Sequence, residues 1–175
     1  PAVVKTRLQR QMAGGDESGV MRTFYVPQAS NRQETAMDFK LELVLIPVSD
    51  VDRAKQFYVD QAGFALDVDT SPSEGFRVVQ MTPPGSACSI TIGTGLTDAA
   101  PGTYRGTHLV VSDIEGARAE LVGRGVEVSE IRHFDRDAGE WRPGADPDHG
   151  KYASFADFRD PDGNSWVLQE VPEAD

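Results

Sequence analysis

The chain has 175 residues, enough for one domain of ordinary size with a real core and too few for two comfortable ones. Seventeen basic against 28 acidic side chains leave a net charge of −11, which argues against a nucleic-acid or anionic-membrane partner because phosphate binding needs a basic surface. A single cysteine, Cys88, excludes an internal disulfide and any zinc site built from several thiolates.

No stretch approaches the roughly 18 uninterrupted apolar residues that a membrane span requires. The opening residues, Pro1 to Met12, interleave Lys5, Arg7 and Arg10 with apolar positions and lack the apolar segment of a secretory signal. A cytoplasmic location is the expectation. Residues 1–36 carry Gly14-Gly15, Pro27 and a mostly polar run from Gln28 to Glu34 without a sustained period. They read as an extension, with three explanations open: a disordered tail, sequence upstream of a domain that starts near Met37, or an arm that packs on a partner subunit.

From Leu41 to Val48 the chain is an apolar strand, followed by Ser49-Asp50 and a segment with Val51, Ala54, Phe57 and Tyr58 on one helical face. A side-chain oxygen at Ser49 or Asp50 can accept from the free N–H groups of the first turn, so a capped helix is expected. The same device returns 63 positions on, from Asp50 to Asp113. There His108 to Val111 leads into Ser112-Asp113 and then Ile114, Ala117, Leu121 and Val122. Each helix then meets a glycine, Gly63 in the first copy and Gly123 or Gly125 in the second, as a left-handed cap requires.

Strand-like sequence follows each helix: Phe64 to Val68, Arg77 to Thr82 and Cys88 to Ile92, then Val126 to Ile131, Tyr152 to Phe158 and Trp166 to Val171. The last pair is joined by Asp160-Pro-Asp-Gly-Asn164, a hairpin signal. Phe134 to Gly150 reads as a long polar loop holding Trp141 and His149. It is either a lid, with Trp141 stacking on a flat ligand, or a plain surface loop. Both halves thus read βαβββ, an α+β class with module 1 at about 41–95 and module 2 at about 105–171, inside one domain of residues 37–175. A duplicated unit that cannot bury its sheet face alone should pair with its copy.

The order of these pieces, with V-S-D and F-Y in the first half, V-S-D-I-E-x-A and R-G-V-E-V in the second, and a closing D-P-D-G-N-x-W-x-L-Q-E, resembles the vicinal oxygen chelate superfamily of glyoxalases, bleomycin-resistance proteins and dioxygenases. The resemblance implies paired βαβββ modules around an open cavity, and usually a divalent metal held by four side chains. Carried over by position, three of those ligands fall on Leu43, Gly106 and Val167, which offer no metal-binding side chain. The fourth belongs near Cys88 to Ile92, yet Gly75 to Thr97 contains no Asp, Glu or His. Hard and borderline divalent ions need carboxylate or imidazole donors. No metal or other cofactor is therefore expected, and metal-dependent glyoxalase I, extradiol dioxygenase and thiol-transferase readings are rejected.

Side chains alternate along a strand, so residues sharing parity with the empty ligand positions should line the chamber. This nominates Leu43, Leu45 and Pro47 in the first strand, His108 and Val110 in the fifth, and Ser165, Val167 and Gln169 in the last. Arg77 and Gln80 on the third strand offer a group for a ligand carbonyl or carboxylate. Trp141, Tyr152 and Phe155 are the aromatic candidates. His108 is the catalytic candidate, because imidazole titrates near neutral pH, against a purely structural histidine. Glu170 is expected at solvent or the rim, Cys88 in the core as an inert thiol, Phe57 and Tyr58 in the core on the helix face that packs against the sheet, and Trp166 under a helix.

Two functions fit. One is a metal-independent protein of the glyoxalase and bleomycin-resistance kind that binds a small, partly apolar or aromatic molecule. The other is a metal-independent lyase or isomerase in which His108 is general acid or base and Gln169 or Arg77 polarises a carbonyl. A small-molecule partner is expected, with monomer and homodimer both open.

Overall fold

Two aspartates start the two helices in the same way. The structure, a computed structural model, describes residues 37–173, so the readings of residues 1–36 lie outside the described residues. Asp50 is extended (φ −134°, ψ 109°) and accepts from the Arg53 amide to open α1, Val51–Gln56. Asp113 repeats this (φ −136°, ψ 104°) on the Gly116 amide to open α2, Ile114–Gly123. The first helix widens into a π-helical turn over Phe57–Gln61. Both helices end ahead of a glycine in the left-handed region, Gly63 (φ 77°) and Gly125 (φ 88°), where a Cβ would be strained.

The first module supplies β1 (Leu43–Leu45), β2 (Ala65–Ser73), β3 (Phe76–Thr82) and β4 (Ser89–Thr94), ordered β1-β4-β3-β2. The second supplies β5 (Thr107–Val111), β6 (Arg132–Asp135), β7 (Glu140–Pro143), β8 (Ser154–Arg159) and β9 (Ser165–Glu170), ordered β5-β9-β8-β6-β7. In each sheet the first and last strands of the module pair in parallel, and the other pairs are antiparallel. The class is α+β, as expected.

The second module departs from βαβββ by one strand. In the segment expected as a strand, Val126 to Ile131, only an isolated bridge from Val128 to Phe158 forms. The reason is Ser129: its hydroxyl, in place of a backbone carbonyl, accepts the Asp157 amide at 2.9 Å and interrupts the ladder. Regular pairing begins at Arg132, opposite Phe155. The expected polar loop is in part a hairpin, in which Phe134 pairs with Trp141 across a turn. Asp135 holds that turn by accepting from the amides of Asp137 and Ala138, and the backbone N–H groups on it keep its carboxyl below the usual carboxylate range.

The helix-side faces of both sheets share one core. Ile46, Val79, Met81, Ile90 and Ile92 come from the first module, and Ala156, Phe158, Trp166 and Leu168 from the second. Phe57 and Tyr58 stand between them. Tyr58 meets Trp166 edge-on with ring centres 5.8 Å apart, and Phe57 lies 6.4 Å from Phe158. Full burial of side chains of this size contributes about 1.5–3 kcal/mol each.

The D-P-D-G-N segment is more than a hairpin. Buried Asp160 accepts from the Tyr58 hydroxyl at 2.9 Å and from Asn164 Nδ2 at 2.7 Å. Asn164, also buried, donates through the same nitrogen to the Pro47 carbonyl at 2.9 Å and accepts the Tyr104 amide through Oδ1. Asp162 binds Ser49 and Arg53 at the start of α1. The turn of one module therefore fastens the helix and first strand of the other. Burial, with the Asp160 carboxylate beside it, pushes the Tyr58 hydroxyl far above the usual phenol range, so it stays a neutral donor.

Candidate functional site

With the helix-side faces committed to the core, the opposite face of each sheet is turned away from it. Pairing registers decide which residues those faces carry. In the second sheet His108 lies opposite Val167, Val110 opposite Gln169, and Gln169 opposite Phe155. Arg132 continues the row from Phe155, and Phe134 and Trp141 follow on the same face of the hairpin. His108, Val110, Ser165, Val167 and Gln169 thus share one face of the sheet, and Phe155 lies on it with them.

Trp141 is half exposed, at 53 %, but it is not a free flap. Its ring meets Phe134 and Phe155 edge-on at 5.4 and 5.5 Å, and the Arg132 guanidinium lies 5.1 Å from its centre. Arg132 is itself paired with Asp157. The result is an aromatic platform on rigid strands, with a cation on one ring face. Arg132 and Phe134 were not among the residues singled out from sequence. Their signal was present in R-H-F-D and E-W-R flanking an Asp-to-Gly turn.

At the other end of the face His108 Nδ1 is 3.0 Å from Gln169 Oε1. An amide oxygen only accepts, so Nδ1 carries the proton in this bond and Nε2 is the ring nitrogen that the bond leaves unused. His108 also borders a groove of about 570 Å³ along the free edge of β5, between Pro83-Pro84 of the β3–β4 hairpin and Leu121 of α2.

The first sheet turns Leu43, Leu45, Gln80, Ser89 and Thr91 to its outer face, as the pairs Leu43 with Ser89, Leu45 with Thr91 and Thr91 with Gln80 require. Arg77 is on the other face. Its guanidinium grips Asp69 with two bonds of 2.9 and 3.0 Å and reaches Asp52 of α1 at 2.9 Å. Arg77 therefore clamps helix to sheet and does not share Gln80's face. Its guanidinium and Lys55 hold the Asp69 carboxyl well below the usual range. Pro47 lies past the end of β1, buried at the junction of the modules with its carbonyl bonded to Asn164 and Gly102. Tyr152 is exposed ahead of β8 with a left-handed backbone (φ 62°), outside the strand alternation. Glu170, expected at solvent or rim, is 2 % exposed. It accepts from the Ser154 hydroxyl at 2.8 Å, with His149 Nδ1 at 3.2 Å.

The strand registers also locate the fourth position of a metal set. Thr91 opposes Leu45 as Val167 opposes His108, the residue 63 positions after Leu45. The four positions are then Leu43, Thr91, Gly106 and Val167, a donor set that does not fit a divalent ion. Among the described residues no group of three or more His, Cys, Asp or Glu is placed to hold a metal.

Residues 40–168 match the family model of the Glyoxalase/Bleomycin resistance protein/Dioxygenase superfamily. The chain belongs to this superfamily. Among solved structures it is similar to TnmS3, an antibiotic binding protein from Streptomyces sp. CB03234, with 32 % identity, a TM-score of 0.60, and 79 % of this chain and 98 % of that chain covered. A glyoxalase/bleomycin resistance protein from the same organism is also 32 % identical, with a TM-score of 0.57 and coverage of 75 % and 100 %. A superfamily member from Sphaerobacter thermophilus DSM 20745 is 29 % identical, with a TM-score of 0.59 and coverage of 77 % and 98 %. No curated protein matches.

Proposed function

We propose that this superfamily member binds a small, partly aromatic molecule on its open sheet faces without a metal. The observation that carries the reading is the platform of Trp141, Phe134 and Phe155 on the same sheet face as the His108–Gln169 pair, at a site whose four metal positions lack carboxylate, imidazole and thiolate donors. The likeness to an antibiotic-binding protein over nearly its whole length supports it. Leu43 on the first sheet and Val110 and Trp141 on the second are 40, 58 and 53 % exposed, apolar surface that a ligand could cover. A second copy laid against these faces would close the chamber.

The second reading rests on His108 alone: a lone pair on Nε2 can take a proton from a bound carbonyl compound, making the protein a metal-independent lyase or isomerase. One screen separates the two. Antibiotics and aromatic metabolites are tested by thermal shift with and without divalent ions, on the parent and on His108→Ala, with product analysis and light scattering on the same samples. Binding alone predicts saturable stabilisation independent of metal, in the parent and in His108→Ala, with no product, on a dimer of the 19.0 kDa chain. Turnover lost in His108→Ala would install the enzyme reading, and a stoichiometric metal requirement would remove both.

A further inference from the structure

On the outer face of the first sheet the polar side chains form a ladder with one direction. Gln80 Nε2 donates to the Ser89 hydroxyl at 3.1 Å, Ser89 and Thr82 share a bond of 2.7 Å, and Thr82 Oγ1 donates to the Asp67 carboxylate. A carboxylate only accepts, so the Thr82 proton goes to Asp67 and the bond between the hydroxyls uses the Ser89 proton. Both hydroxyl protons of the ladder are committed, and the Gln80 carbonyl oxygen takes no part in it. Beside Gln80, as its partner in the register, stands Thr91. Thr91 is 4 % exposed, and its Oγ1 has no hydrogen-bond partner.

A buried hydroxyl without a partner costs stability, and valine would fill the same volume without that cost. The only other such hydroxyl among the described residues, Thr107 Oγ1, is on a residue paired with buried Trp166, on the core side of its sheet. Thr91 instead alternates with the core residues Ile90 and Ile92 and so belongs to the outer face. Its cross-strand neighbours on that face, Leu45 and Gln80, are only half buried.

We propose that Thr91 and Gln80 form a hydrogen-bonding subsite for the ligand, and that it takes an amide-like edge, a carbonyl beside an N–H, on an otherwise aromatic molecule. The Thr91 hydroxyl donates to the carbonyl and the Gln80 Oε1 accepts the N–H. The inference rests on the ligand-binding reading above and assigns the polar end of that chamber.

The test is calorimetric titration of 2-naphthamide and 2-ethylnaphthalene into the parent and Thr91→Val, with a melting curve of each protein alone. The parent should prefer the amide, and Thr91→Val should reduce that preference roughly tenfold. The unliganded variant should melt about 2–4 °C higher, because an orphaned hydroxyl is gone. An unchanged preference overturns the subsite while leaving the chamber standing. A variant that melts lower also overturns it, since Thr91 would then have had a partner in the protein. If neither compound binds the parent, the chamber and the subsite fall together.

Discussion

In the first module the outer sheet face carries a ladder of hydroxyls and an amide running to Asp67, whereas in the second the matching face carries an aromatic platform and a histidine. The difference arises on one backbone plan: the same N-cap, the same glycine stop and the same parallel pairing of first and last strands. Duplication fixed the geometry of both faces, and side-chain choice then made one suited to polar edges and the other to flat rings. Sequence repeats of this kind identify positions that are equivalent in space and leave their chemistry to be read one residue at a time.

The largest expected effect breaks the fastening between the modules. Asn164→Ala should cost about 3–5 kcal/mol by chemical denaturation, because buried partners on Pro47, Asp160 and Tyr104 each lose a bond at once. A loss below about 1 kcal/mol would mean that the modules hold together by apolar packing alone. Next come the two caps: Asp50→Ala and Asp113→Ala should each cost about 1 kcal/mol and by similar amounts. A clear inequality would show that the repeat is conformational without being energetic. The smallest effect belongs to a feature of the first module, the clamp of Arg77, Lys55 and Asp69. Asp69 is held below its ordinary range, so its contribution is present above about pH 4 and is lost as pH falls toward the lowered value. Asp69→Asn should therefore cost up to about 1 kcal/mol at neutral pH, and acid melting curves of parent and variant should converge below pH 4.

Much of this is legible in the sequence. The offset from Asp50 to Asp113 and the parity of His108, Val110, Val167 and Gln169 follow from helix capping and strand alternation, which are local rules. The errors arose where a side chain took over a backbone role or where contacts were distant in sequence. Ser129 replaced a carbonyl and delayed β6, and the hairpin to Trp141 was hidden by its polar composition. Arg77 and Gln80 sit three residues apart on one strand and so face opposite ways, yet nothing local says which face meets the helix. The D-P-D-G-N turn reads as a hairpin because its partners, Tyr58 and Pro47, are more than a hundred residues upstream.

The pairing of first with last strands also bears on how the chain reaches its fold during synthesis. β1 can close only when β4 has emerged, and β5 only when β9 has. Until β8 supplies Phe158 and β9 supplies Trp166, Phe57 and Tyr58 lack these rings to rest on. Contacts this far apart in sequence fold slowly and leave apolar surface uncovered in the interval. A chain that stops before Ser165 has every strand of the first sheet and still lacks β9, the strand that both β5 and β8 pair with.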